Sequence, residues 1–148
     1  MIGLTYALGT REYLGLGVSS NDPAATTIMS AFAADGAGWL SWWWKTLFTA
    51  LSLGSGFKGG EVTPLFFVGA TLGNRVGTVL GGPVDLFAAL GFVAIFAGAA
   101  NTPLACTVMG IELFGAEAAP LIAVSYFVSY LVSGHSGIYL AQRIGTPK

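Results

Sequence analysis

Charge is what this sequence has least of. Its 148 residues include six Lys or Arg and seven Asp or Glu, 9% in all, against roughly 25% in soluble domains. With 54% hydrophobic residues and a mean hydropathy of +0.73, the composition points to a membrane. The basic residues are scattered and the net charge is −1, so no patch or run suits nucleic acid. The single histidine, His135, excludes a multi-histidine metal site within the chain. The single cysteine, Cys106, excludes an internal disulfide and reads as a small buried hydrophobe in its apolar run. The opening MIGLTYALGTREYLGLG has no basic stretch followed by an uninterrupted apolar core, because Arg11 and Glu12 break it; no signal peptide is expected. Catalytic signatures are missing too. GSGFKGG is not a GxxxxGK[ST] phosphate loop, since Lys58 precedes the glycine pair, and Cys106 with His135 has no local nucleophile–base signature. Neither an enzyme nor a cofactor is expected.

Apolar runs are present but interrupted. Leu86 to Ile111 has no charged residue, nor has Ala118 to Gln142 with His135 neutral, and both exceed the roughly 20 residues of a spanning helix. Two spans are supported on hydropathy alone. Asn101-Thr102-Pro103 splits the first run, which predicts two antiparallel or angled helices where hydropathy would draw one. Pro120 to Val132 makes a further helix, ended by Ser133 to Gly137 before Ile138 to Ile144. Leu65 to Leu72 is short for a span, closed off by Asn74 and Arg75. Short segments broken by Gly and Pro are what ion transporters use to set helix ends at mid-membrane depth. The 22 glycines, about twice the roughly 7% average, suit close helix–helix approach.

The opening residues, 1 to 18, read as the end of an apolar helix, and Met1 falls in mid-pattern, so the chain is expected to be a fragment. Val18 to Gly38 is expected to be an aqueous loop, with a turn at Ser19 to Pro23 and a short helix start at Asp22 or Pro23. Trp39 to Leu53 opens with four tryptophans in six residues, a density that fits the membrane interface, with Lys45 snorkelling to headgroup level. Asp85 and Glu117 read as loop or helix-start acids.

Gly54 to Asn74, GSGFKGGEVTPLFFVGATLGN, carries the chemistry. Its glycines leave backbone amides uncovered, and Pro64 suits a helix's first turn, so the amides of Val62 and Thr63 would face an anion together with the positive end of the helix dipole. Glu112, in the apolar segment Leu104 to Phe114, is either a proton-relaying acid or a structural one. Tyr139 follows a small-residue break and serves either packing or donation to an anion. His135 is expected to cap or bond in the loop before it.

Together GSGFKGGEVTP, FAGAANTPLACTVMGIELFG and SGHSGIYLAQRIG resemble the C-terminal half of the CLC family of anion channels and proton-coupled anion antiporters, from about Trp44 onward; YLGLG, Tyr13 to Gly17, is a weaker match. The resemblance implies an all-α membrane fold of short, tilted and broken helices, one of two inverted repeats, with residues 1–148 forming the C-terminal portion of the transport domain. In the family a GSGxxGGxFxP motif opens the helix whose amides hold the anion; Gly54, Ser55, Gly56, Gly59, Gly60 and Pro64 match. The implied anion site is Gly60, Val62, Thr63 and Tyr139. Val62 stands where the family has phenylalanine, and EVTP resembles the fluoride-exporting branch, which couples fluoride exit to proton entry. Thr63 would add a hydroxyl donor for a small, strongly hydrated anion, and Glu61 is expected to point away. The gating glutamate of the family's GREGP-like motif is not in this sequence. A homodimer partly through Leu104 to Val132, a bacterial-type inner membrane, and fluoride or chloride with protons as partners are implied likewise. The rivals are a chloride channel or chloride/proton exchanger, and a non-transporting membrane assembly domain. Arg143 and Lys148 suggest a cytoplasmic C-terminus.

Overall fold

A computed structural model of the chain describes residues 5–6, 9, 13–18, 20, 25–57, 59–134 and 137–139. The expectations for most of residues 1 to 12, for Asp22 and Pro23, and for Lys58, His135, Arg143 and Lys148 lie outside them. The described residues form five α-helices and no strand: α1 (Ser41–Gly54), α2 (Val62–Leu80), α3 (Val84–Ala100), α4 (Pro103–Phe114) and α5 (Ala119–Val132), with 3-10 turns at Ser30–Phe32 and Ala116–Ala118.

Local chemistry sets most boundaries. Pro103 begins α4, and Asn101 ends α3 in the left-handed conformation, φ 54°, which asparagine tolerates better than most side chains. The charge-free run from Leu86 to Ile111 is therefore two helices. Pro120 lies in the first turn of α5, where its missing N–H is no loss. Among the described residues no helix is long and apolar enough to cross a membrane.

The core is built on close backbone approach. Gly69, Gly73 and Gly77 line one face of α2, which packs antiparallel on α3, its most extensive partner. A Cβ at Gly69 would stand 2.3 Å from Gly91 O, and one at Gly73 would stand 2.1 Å from Phe87 O. This is the small-residue contact that lets bilayer helices touch along their backbones. Aromatic rings complete the seam, with Phe66 stacked on Phe92 at 4.0 Å and tilted on Phe96 at 5.0 Å. On the other side of α3, α5 docks through serines. Ser125 Oγ donates to Leu90 O at 3.3 Å and Ser129 Oγ to Ala94 O at 2.5 Å, polar bonds of the kind that hold helices together where no water competes. Cys106, Val93, Ala97, Ile122 and Tyr126 form a buried cluster beneath, as the apolar setting of Cys106 predicts.

Three expectations are corrected. Arg75 and Asn74 do not close a short segment: α2 runs through both to Leu80. Asn74 is buried, and its Nδ2 donates to Ala31 O at 2.8 Å and Ala33 O at 2.9 Å, so tertiary acceptors take up both N–H groups of a side chain that hydropathy scores as a break, while its Oδ1 has no partner among the described residues. The segment up to Gly38 is not an aqueous loop. Ala25, Ile28, Ala31 and Ala37 are buried, Phe32 stacks on Phe114 at 5.6 Å, and the 3-10 turn packs on α2 and α3. Lys45 does not snorkel. It is 1% exposed, donates to Gly15 O at 2.5 Å and Tyr13 O at 3.3 Å, and sits 5.2 Å from the centroid of the Phe67 ring. Trp39 and Trp43, by contrast, are exposed, as an interfacial pair would be.

Candidate anion site

The glycine-dense loop divides into two halves with different jobs. Its first half closes α1. Gly56 takes a positive φ of 82°, its N–H donates to Leu53 O at 3.0 Å, and the Phe57 N–H donates to Ser52 O at 3.3 Å. That pair of reversed bonds around a left-handed glycine is a Schellman motif, and Ser55 Oγ adds a bond to Leu51 O at 2.6 Å. The amides of Gly56 and Phe57 are therefore spent on the helix end. The sequence places the anion-facing amides at Val62 and Thr63, and it marks the closure of α1 by the first half only through a glycine one residue past the helix C-cap.

The second half opens α2. Helix geometry starts at Val62 with Glu61 as N-cap, and Glu61 makes no side-chain capping bond. The Leu65 N–H donates to Glu61 O at 3.3 Å, Pro64 has no N–H, and the amides of Val62 and Thr63 have no acceptor among the described residues. Two unpaired donors thus stand at the positive end of a 19-residue helix, the arrangement that favours an anion. Gly59 and Gly60 are exposed, with nothing within 4 Å of a Cβ built on either, so the approach is open. A recess of about 370 Å³ beside it is lined by Leu53, Gly56, Phe57, Gly59 and Glu61.

Thr63 differs from the other helical hydroxyls. Thr46, Thr49, Ser52, Thr71 and Thr78 each donate to the carbonyl four residues earlier, the usual sink for a hydroxyl in a helix. In the first turn that carbonyl belongs to Gly59, outside the helix, and Thr63 Oγ1 makes no hydrogen bond among the described residues. A half-buried O–H is left beside two N–H groups that have no acceptor among the described residues.

The Ile138 N–H donates to Ala99 O at 2.9 Å, which ties the segment bearing Tyr139 to the last turn of α3. The α2–α3 register that pairs Gly73 with Phe87 and Gly69 with Gly91 puts that turn opposite the start of α2. Tyr139 therefore lies at the same end of the helix pair as Val62 and Thr63. Its side chain is 48% exposed, and no hydrogen bond joins it to Thr63 among the described residues. Glu112 is exposed near the C-terminal end of α4. Among the described residues no cluster of metal-binding side chains occurs.

A family model described as voltage gated chloride channel matches residues 2–134. The chain belongs to the CLC family. Proteins of this family are integral membrane proteins, which agrees with the exposed apolar surface of α4 and α5, where Val108, Leu113, Val124, Phe127 and Leu131 face outward. A chloride/fluoride channel protein of Pseudomonas syringae pv. tomato is 52% identical over 147 residues, 99% of this chain and 31% of that protein. An uncharacterized protein of Methanocaldococcus jannaschii is 30% identical over 86 residues, 58% of this chain and 22% of that one. The crystal structure of a CLC-type fluoride/proton antiporter superposes with a TM-score of 0.77 at 34% identity, over 89% of this chain and 32% of that chain. The chain thus spans about a third of the length of the first two proteins of known type that it matches, and its all-helical architecture is the CLC fold.

Proposed function

We propose that this CLC chain supplies one wall of a fluoride-selective pathway that couples fluoride export to proton import. The observation that carries the reading is the start of α2, where the Thr63 hydroxyl and the amides of Val62 and Thr63 have no acceptor among the described residues. Fluoride holds its hydration shell tightly, so a site that strips it needs several strong donors converging on one point. A threonine in the first helical turn supplies one more than the backbone alone. Gly60 keeps the approach clear, and Tyr139, at the same end of the helix pair, contributes a further O–H. The printed descriptions of the Pseudomonas protein and of the antiporter structure, both naming fluoride, support the choice of ion.

In this reading the remainder of the pathway, including the proton-coupled gate, comes from parts of the CLC architecture beyond these residues. Two copies associate through the exposed faces of α4 and α5, and Glu112 is a structural or proton-linked acid on the face they would share. The membrane is a bacterial-type inner membrane. A chloride channel or chloride/proton exchanger is the rival within the family, and the word channel in the Pseudomonas protein's description favours it on mechanism. Proteoliposomes of the full-length protein separate them. Fluoride efflux is expected to outpace chloride efflux and to be accompanied by proton uptake; equal rates for the two ions remove the selectivity claim, and fluoride flux without proton movement makes the protein a channel.

A further inference from the structure

Away from the anion turn, α2 carries one cationic side chain, and its bonding is incomplete. Arg75 is 8% exposed, yet among the described residues its guanidinium makes no hydrogen bond. Its Nε is buried without a partner, and its one ionic neighbour, Asp35 Oδ1, is 3.7 Å from Nη1, beyond hydrogen-bond reach. A buried Nε–H with no acceptor is anomalous, because buried polar groups are almost always paired and an arginine cannot neutralise itself. Arg75 and Asp35 face a recess of about 490 Å³ lined also by Thr26, Ser30 and Gly36 to Gly38. Asp35 itself is almost fully exposed, and it is held in a left-handed conformation, φ 56°.

Depth supplies the second line of reasoning. With Thr63 at mid-membrane, Arg75 stands twelve residues further on, about 18 Å along the axis, whereas half the hydrocarbon thickness is about 15 Å. Arg75 thus falls at the headgroup level. Trp39, 62% exposed, lies 5.2 Å from the guanidinium carbon, and an exposed indole marks that same level.

We propose that this recess binds the headgroup of a zwitterionic phospholipid, its phosphate on Arg75 and its ammonium on Asp35. A cation inside the recess and a carboxylate at its mouth match a phosphate followed by an ammonium two carbons away. Entry of such a headgroup replaces one loose ion pair with two close ones and gives the guanidinium the acceptors it lacks. A simple anion would meet Arg75 but also the Asp35 carboxylate, so a free phosphate fits the recess worse than the zwitterion does. The placement rests on the mid-membrane reading of the α2 start, whereas the unpaired guanidinium does not.

The test is native mass spectrometry of the full-length protein after delipidation and exchange into phosphatidylethanolamine, phosphatidylglycerol or inorganic phosphate. Phosphatidylethanolamine is expected to be retained about tenfold better than phosphatidylglycerol, and Arg75→Gln to abolish that retention. Asp35→Asn, at an exposed site whose backbone conformation asparagine accepts, is expected to fold and to bind the two lipids alike. Three results overturn the proposal: equal retention of the two lipids by the wild type, an unchanged preference in Asp35→Asn, or inorganic phosphate displacing the lipid at millimolar concentration, which would assign the recess to a free anion. Fluoride efflux from the same preparation keeps the two readings separate, since intact selective efflux with no lipid preference removes only this one.

Discussion

Two classes of glycine can be told apart by a single added methyl. At Gly73 a Cβ would lie 2.1 Å from Phe87 O and 3.0 Å from the Ala88 Cα, and both neighbours are helical backbone of α3, so neither can rotate away. Restoring ordinary contact requires α2 and α3 to separate locally by about 1 Å, and a gap of that size already forfeits a quarter to a half of each dispersion contact along the seam. Overpacking of this kind costs about 1–3 kcal/mol. The Phe66–Phe92 stack one helical face away has to shift as well, which puts Gly73→Ala at the upper end. Gly60→Ala is the control: nothing lies within 4 Å of its Cβ and its φ is not positive, so its stability is expected to stay within about 0.5 kcal/mol of the parent. The assay is thermal unfolding of the full-length protein in detergent, followed by the loss of the folded peak in size-exclusion chromatography. Gly73→Ala is expected to unfold several degrees lower and Gly60→Ala with the parent. Fluoride efflux should report the opposite loss for Gly60→Ala, whose methyl intrudes on the approach to the Val62 and Thr63 amides. If Gly73→Ala unfolds together with the parent, or Gly60→Ala loses as much stability, the close-approach reasoning is refuted.

Thr63→Ala should weaken fluoride binding by about 1.5–3 kcal/mol, the worth of a hydrogen bond to a charged group, measured by isothermal titration; unchanged affinity takes the hydroxyl out of the site. Asn74→Ala removes both donors to the Ala31 and Ala33 carbonyls and should destabilise by about 2 kcal/mol, with protease cleavage appearing between residues 25 and 38 because that segment loses its anchor; cleavage confined to the loop before Val62 would contradict this. Lys45→Met leaves the Gly15 and Tyr13 carbonyls unmet and should lower the unfolding temperature more than Lys45→Arg, which keeps donors in reach; equal effects would mean that packing rather than donation is what the site requires. A double-mutant cycle on Gly98→Ala and Ser129→Ala should show coupling of about 1 kcal/mol, because a Cβ at Gly98 would stand 2.7 Å from Ser129 Oγ; additive effects would separate the two residues.

The sequence by itself determined where the chain breaks and which helix start carries the proposed anion site. Pro103 and Pro120 act through φ restriction and a missing N–H, which are properties of the residue and its immediate neighbours. The opening of α2 at Val62 is equally local, because a proline in the first turn and glycines ahead of it specify free amides whatever surrounds them. The glycine content announced close packing without saying which glycines pack. Only the tertiary structure decided that Gly69, Gly73 and Gly91 meet helix to helix while Gly59 and Gly60 stay open. Only the tertiary structure, too, turned Asn74, Arg75 and Lys45 from surface signals into buried groups. Asn74 finds its acceptors more than forty residues earlier and Lys45 finds its own thirty earlier, distances over which no local pattern carries information. Charge and polarity in a sequence state the cost of burial; whether distant carbonyls offset that cost is settled when the chain folds.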